Sequence, residues 1–322
     1  MPRSQHIAQL VATLSRSIGR DNARLELKWL MQAIHFSKST RTRPFPTLST
    51  MLSRRVGGEP IQYILGTQPF GTLDILTRPP VLIPRPETEY WTLRLAHSIT
   101  PSPQKPVHVL DLCTGSGCIS LLLCAAWRPG SVFAVGIDTS LEALQLAKDN
   151  ALAHASVVDL TFPHPRSPLA RRPNPPTGPA PLVATAKNVF IPLHADVRDT
   201  PKLIETISSW APFDIITANP PYIPREQYAI LDRSVRGFED PAALLGDPPG
   251  APDTGGLTYY LDIARLVAQG RILATNGWLV LEVGDGQARA VQDIMHDVAR
   301  MNKTEIWTDQ WGKERVVVAR CH

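Results

Sequence analysis

Asn219-Pro220-Pro221-Tyr222 is the segment of this 322-residue chain whose residue types say most about chemistry. An uncharged amide or amino group has two N–H donors. The side-chain oxygen of Asn219 and the carbonyl of Pro220 can accept one each. The nitrogen lone pair is then aimed at an electrophilic carbon, such as the methyl of a sulfonium. Pro220 and Pro221 fix φ and stiffen the loop, so the acceptors are in place before reaction. Tyr222 can stack on a planar group. Catalysis of this kind rests on in-line positioning of nucleophile, methyl and leaving sulfur, and needs neither metal nor covalent nucleophile. A specified tetrapeptide arises by chance in a chain of this length with a probability of about 0.002, so the match carries weight. The plainer alternative is an ordinary turn.

Three further features have the same placement, just after an apolar run. The first is Asp111-Leu112-Cys113-Thr114-Gly115-Ser116-Gly117. A glycine turn between strand and helix lets a ligand approach the backbone closely; a purely structural turn reads the same way. The second is Asp138, where a carboxylate can accept both hydroxyls of a ribose or cap the helix that follows. The third is Asp196, placed to accept from an adenine amino group with Val197 as an apolar neighbour. Cys118-Ile119-Ser120 follows Gly117, so the turn is neither a dinucleotide GxGxxG nor a phosphate loop.

The elements that must position these residues follow from the alternation of the chain. Val107–Leu112, Val132–Ile137, Phe190–Ala195, Phe213–Ala218, Trp278–Val283 and Val316–Ala319 read as strands, with helices over Ile119–Trp127 and Leu141–Asn150 between the first ones. That rhythm predicts an α/β fold: a mixed, mostly parallel sheet covered on both faces. Open sheets of this kind bind ligands at the carboxyl ends of their strands, where all four features fall. Upstream, residues 5–19 read as an amphipathic helix. A second is capped by Asp21 or Asn22 and carries Leu27, Leu30, Met31 and Ile34 on one face. A third covers Thr47–Val56. They make a small helical domain over residues 1–58. Residues 59–85 read as a β-hairpin linker built from Tyr63-Ile64-Leu65-Gly66 and Leu73-Asp74-Ile75-Leu76. Pro86 is well placed in the first turn of a helix starting near Glu87. Residues 86–322 form the sheet domain, interrupted by a proline-rich insertion over 155–187 that reads as a loop in a crossover connection.

Composition excludes several classes. The chain is 43% hydrophobic and 19% charged, enough to build a core. No apolar run reaches the roughly 18 residues of a membrane span. Lysine and arginine outnumber acids by 33 to 29, too little for a basic nucleic-acid groove. Cys113, Cys118, Cys124 and Cys321 show no metal-ligand spacing, which fits a reducing compartment and no metal.

Together the glycine turn, Asp138, Asp196 and Asn-Pro-Pro-Tyr resemble a class I, Rossmann-like S-adenosylmethionine-dependent methyltransferase. More narrowly, the chain resembles the HemK-type protein-(glutamine-N5) methyltransferases, which modify peptide chain release factors. The likeness covers nearly the whole chain. It includes Gly58-Glu59-Pro60-Ile61-Gln62-Tyr63-Ile64-Leu65-Gly66, Leu82-Ile83-Pro84-Arg85-Pro86-Glu87-Thr88-Glu89, Val235-Arg236-Gly237-Phe238-Glu239-Asp240-Pro241 and Gly312-Lys313-Glu314-Arg315. The resemblance implies S-adenosyl-L-methionine as cofactor. Asp111 and Cys113, Thr114, Gly115, Ser116 and Gly117 would wrap its methionine part, Asp138 its ribose, and Asp196 with Val197 its adenine edge. Asn219 would face both cofactor and substrate. With Pro220, Pro221 and Tyr222 it would hold the glutamine of a Gly-Gly-Gln motif, with Asn219, Pro220 and Tyr222 as the catalytic group. The N-terminal helices would grip the release factor, with no membrane and no direct nucleic-acid contact. Arg85 and Glu87 either line the site or pair at a hinge.

Two departures stand out: Cys113 occupies a position where the family commonly has glycine, and compact members lack the insertion. The insertion points to a eukaryotic, fungal organellar version. Arg3, Arg16 and Arg20, with no acid in the first 20 residues, suit a mitochondrial presequence as well as an ordinary first helix, with a cytoplasmic location as the alternative. The competing functions are a DNA-adenine or RNA-base N-methyltransferase and a non-catalytic cofactor-binding protein.

Overall fold

Apolar residues at helical spacing come first. The structure, a computed structural model, describes residues 3–40, 46–160 and 187–321. Helices α1 (Arg3–Ile18), α2 (Arg20–Thr40) and α3 (Leu48–Val56) pack around Leu14, Ala23, Leu30, Met51 and Leu52. Gly19, at φ +85°, separates α1 from α2, so the break precedes Asp21 and Asn22 and neither caps the second helix. Met31 is exposed, not on the buried face. The packed arc is centred on Ala23, Leu27 and Leu30, with Glu26 at its edge held by Arg55 (Nε–Oε2 2.7 Å), and Met31 falls outside it.

Tyr63-Ile64-Leu65 is a helical turn rather than a strand. It lies in α4 (Ile61–Leu65), closed by Gly66 at φ +86°. Ile61 and Ile64 join the core of the helical unit, and that burial outweighs the β-like composition of the run. The hairpin instead pairs β1 (Thr67–Phe70) with β2 (Leu73–Leu76) around Gly71. A Cβ on Gly71 would stand 2.4 Å from Leu122, so the turn requires glycine to lie against the next helix layer. Helix α5 (Pro86–Ser98) then begins with Pro86 in its first turn.

The sheet follows. Its strands are β3 (Val107–Leu112), β4 (Val132–Asp138), β5 (Val158–Asp159), β6 (Asn188–His194), β7 (Phe213–Ala218), β8 (Leu273–Glu282), β9 (Lys303–Thr308) and β10 (Glu314–Arg320). They lie in the order β5-β6-β4-β3-β7-β8-β10-β9. All run parallel to their neighbours except β10, which is antiparallel to both β8 and β9. Between them lie α6 (Cys118–Ala126), α7 (Leu141–Ala153), α8 (Thr200–Ile207), the short α9 (Arg225–Ala229) and α10 (Arg233–Arg236), α11 (Thr258–Gly270) and α12 (Ala288–Asp297). Successive strand residues point to opposite faces. Val109 joins Trp91, Leu95 and Leu122 on one side, and Leu110 joins Leu203, Ile263 and Val291 on the other.

Of the insertion read over 155–187, residues 161–186 lie outside the described residues. Its first part is shorter than expected, because Val158–Asp159 pairs in parallel with Asn188 and Val189. The chain runs from β3 to β4 and β6 on one side, then returns to β7 on the other side of β3. The carboxyl ends of β3, β4, β6 and β7 therefore border one crevice where the winding reverses, the usual ligand position in such sheets.

Candidate active site

At that crevice lies a cavity of about 410 Å³, within the ~300–1,000 Å³ range of small-molecule sites. Its wall includes Cys113 and Gly115 after β3, Asp138 at the end of β4, Asp196 and Val197 after β6, and Asn219 and Pro221 after β7. The four features read from sequence thus meet in one place. The wall carries four acids, Asp138, Glu142, Asp196 and Asp240, and no lysine, arginine or histidine among the described residues. Such a lining suits a cationic ligand and opposes a phosphorylated one.

The turn after β3 is made by three left-handed residues, Cys113 (φ +57°), Gly115 (φ +55°) and Gly117 (φ +80°). A Cβ on Gly115 would meet nothing within 4 Å, so its backbone is open to close approach from the cavity. Cys113 adopts the left-handed region with a side chain, which strains the backbone. Asp111, Thr114, Ser116 and Gly117 do not line the cavity; they support the turn from behind. Asp111 is fully buried and accepts from Thr114 Oγ1 (2.6 Å), Ser120 Oγ (3.1 Å) and Thr217 Oγ1 (2.8 Å). Burial pushes its carboxyl up to about 6 against the pull of those three hydroxyls. Thr217 sits on β7, so this one carboxylate ties the two strands at the point of reversal.

Asp138 accepts from the backbone N–H of Gly115 at 2.9 Å and of Ser140 at 2.9 Å. Burial raises its pKa, and these backbone donors partly offset the rise. The helix cap is Ser140, whose Oγ accepts from the Ala143 N–H; Asp138 does not cap. Asp196 has a partner that sequence reading missed. Arg198 grips it with Nε on Oδ1 (3.2 Å) and Nη2 on Oδ2 (2.9 Å). Burial alone would raise the Asp196 pKa; the guanidinium overrides it and the net shift is downward. The acid-x-base spacing of Asp196 and Arg198 was the available signal.

Asn219 is half-buried, and its Nδ2 donates to Thr88 Oγ1 (3.2 Å) in the first turn of α5. Thr88 donates to Glu282 Oε2 (2.6 Å), which also accepts from Trp91 Nε1 (2.7 Å). Trp91 and Glu282 were not singled out from sequence, and Thr88 entered only as part of the Leu82–Glu89 segment, with no role of its own. Glu282 closes β8, and an acid at the carboxyl end of a strand was the same signal that selected Asp138. Pro220 and Tyr222 do not line the cavity. The Tyr222 ring packs against the core instead of standing open for stacking, and burial raises its hydroxyl pKa. Its carbonyl accepts from Gln287 Nε2 (2.9 Å). Of the two residues left open at the hinge, Arg85 pairs with buried Glu239 (Nη2–Oε2 2.6 Å), and neither Arg85 nor Glu87 lines the cavity.

No family model matches the chain. A Geobacter sulfurreducens protein named release factor glutamine methyltransferase is 33% identical over 316 residues, covering 94% of this chain and 91% of that protein. A Schizosaccharomyces pombe protein, named as a probable MRF1 mitochondrial N(5)-glutamine methyltransferase, is 31% identical over 82% of this chain and 76% of its own length. The Saccharomyces cerevisiae mitochondrial MRF1 N(5)-glutamine methyltransferase is 30% identical over 70% of this chain and 60% of its own length. On the identity and coverage of the first of these, the chain belongs to the release factor glutamine methyltransferase family.

Proposed function

We propose that this chain transfers a methyl group from S-adenosyl-L-methionine to the side-chain amide nitrogen of the Gly-Gly-Gln glutamine in a peptide chain release factor. The observation that carries the reading is the acid-lined cavity bordered by Asn219, with no lysine, arginine or histidine in its wall among the described residues. The cofactor supplies an electrophilic methyl on a positive sulfur. The residues present fit it: an acid-rich lining favours its positive charge, and open space over Gly115 admits it against the backbone. Asp138 keeps acceptor capacity on both oxygens for ribose hydroxyls beyond its two backbone donors. Asp196, oriented by Arg198, and Val197 flank the adenine edge, and Cys113 and Gly115 face the methionine part.

An amide nitrogen is a weak nucleophile because its lone pair is delocalised into the carbonyl. Asn219 Oδ1 and the Pro220 carbonyl accept its two N–H groups, orient it and stabilise the positive charge that grows there. Pro220 and Pro221 hold those acceptors still, and Tyr222 anchors the loop to the core through its ring and its carbonyl. The N–C bond forms as the C–S bond breaks, and one amide proton leaves to solvent. Residues 1–58 contact the remainder of the release factor, 59–85 connect, and 86–322 carry the reaction. The two yeast relatives, named as mitochondrial, support a mitochondrial location, with a cytoplasmic one as the alternative.

Mass spectrometry tests this. The protein is incubated with S-adenosylmethionine and a mitochondrial-type release factor, and any added methyl is mapped. One methyl on the Gly-Gly-Gln glutamine, lost in Asn219→Ala, supports reaction and site together. No methyl on that factor, with cofactor bound, moves the search to cytoplasmic factors and nucleic acids.

A further inference from the structure

We infer that Thr88 and Glu282 form a positioning relay that fixes the direction of the Asn219 amide, with Oδ1 turned toward the substrate nitrogen. The inference rests on the proposed function and adds to it the residues that make the acceptor an acceptor.

The argument is one of proton direction. An asparagine amide has two nearly identical ends, one accepting and one donating. Turned the wrong way, Nδ2 would confront the substrate N–H with another N–H. The chain of contacts removes that freedom. The Trp91 indole N–H only donates, so Glu282 Oε2, 2.7 Å away, must accept. The Thr88 hydroxyl lies 2.6 Å from the same oxygen and gives its single proton there. Thr88 Oγ1 then has only lone pairs left, and the Asn219 atom 3.2 Å away must be the donating Nδ2. Oδ1 is left for the substrate. With Glu282 ionised, or protonated on Oε1, Oε2 accepts from both groups and the direction is the same.

The relay is held rigidly. Thr88, Trp91 and Glu282 are 2%, 1% and 2% exposed, so water does not compete with their contacts. Thr88 and Trp91 are three residues apart on α5 and face β8 together. The Thr92 hydroxyl donates to the Thr88 carbonyl (2.7 Å), and the Tyr260 hydroxyl donates to the Glu282 carbonyl (2.7 Å). Tethering the strand end could be done by apolar packing; a carboxylate buried with two donors on one oxygen is an expensive way to do only that. What it supplies beyond packing is polarity of a stated sign at Asn219.

The test measures kcat and KM for release-factor methylation, together with cofactor affinity, in the full-length protein. Thr88→Val keeps shape and removes the hydroxyl. It should lower kcat about 10- to 100-fold while cofactor affinity stays within about two-fold. Thr88→Ser restores the hydroxyl and should return kcat to within about three-fold of wild type. In an Asn219→Ala background, Thr88→Val should change kcat by less than about two-fold, because its effect passes through Asn219. Glu282→Gln still presents an accepting oxygen to Trp91 and Thr88, so its kcat should fall no more than about three-fold; this variant does not depend on Thr88→Val folding. Wild-type kcat in Thr88→Val overturns the relay. So does a loss that serine does not recover, a loss undiminished in Asn219→Ala, or a collapse of kcat in Glu282→Gln. These outcomes leave the proposed function standing when the wild type methylates the factor. A wild type that methylates no release factor overturns both.

Discussion

The turn after β3 and the loop after β7 both border one cavity, and they are braced by different means. The turn is steadied mainly from its own neighbourhood, Asp111 holding Thr114 and Ser120 and Asp138 holding the Gly115 N–H from the adjacent strand, with one distant tie from Asp111 to Thr217 on β7. The loop is steadied from far along the chain, by Thr88 on Asn219 and Gln287 on the Tyr222 carbonyl. The turn also contains left-handed residues that a small side chain tolerates poorly, whereas the loop owes its stiffness to two prolines. The wall proposed to hold the cofactor is thus built largely from a compact local motif. The wall proposed to orient the reacting nitrogen is assembled from pieces that meet only in the finished fold.

Four measurements separate the walls, from the largest effect to the smallest. Asn219→Ala should reduce turnover on the order of 10²–10³-fold and leave cofactor affinity within about two-fold. Pre-steady-state kinetics and calorimetry read the two quantities; a joint loss would mean that the walls are not separable. Asp111→Asn addresses the turn through pH. Burial disfavours the charge of the Asp111 carboxyl and pushes it up to about 6 from the ordinary 3.8. The native state therefore holds that proton more tightly than the unfolded chain, and wild-type stability falls as pH rises through this window. Referred to Asp111→Asn, wild type should lose about 2–3 kcal/mol between pH 4 and pH 6.5. Urea unfolding at both pH values checks it; a constant difference between the proteins would remove Asp111 as a strained brace. Asp138→Ala should weaken cofactor binding roughly 10- to 30-fold by calorimetry, with turnover recovered at saturating cofactor. Unchanged affinity contradicts its assignment to the ribose. Cys113→Gly should stabilise the protein by about 0.5–1 kcal/mol, since relief of the left-handed backbone exceeds the added chain entropy. Thermal unfolding at one pH decides it, and a lower midpoint would mean that the thiol packs better than the backbone suffers.

The same contrast explains what was legible in the sequence. Strand ends announce themselves locally, because an apolar run followed by glycine or an acid needs no distant partner. The positions of Cys113, Asp138, Asp196 and Asn219 on one edge follow from that pattern and the parallel topology. Pro86 at the start of α5 was equally local. Tyr63-Ile64-Leu65 was misread because its composition is β-like while its burial partners are helices. Met31 was misplaced because four apolar residues spread over a wide arc do not say which edge of it is buried. Asp111, Thr114 and Ser116 belong to the right motif, but sequence does not tell which members of a tight turn face the ligand and which face the core. Thr88 is 131 positions from Asn219 and 194 from Glu282, and no spacing rule connects them.

The charge of the cavity bears on how the site empties. A methyl donor of the proposed kind arrives with a positive sulfur and leaves with a neutral one. A wall rich in acids, with no lysine, arginine or histidine lining it among the described residues, attracts the charged form more than the spent form. The field that draws the reactant in therefore weakens its hold at the moment the reaction is over. The loss of that single charge on transfer thus favours exchange of used for fresh cofactor.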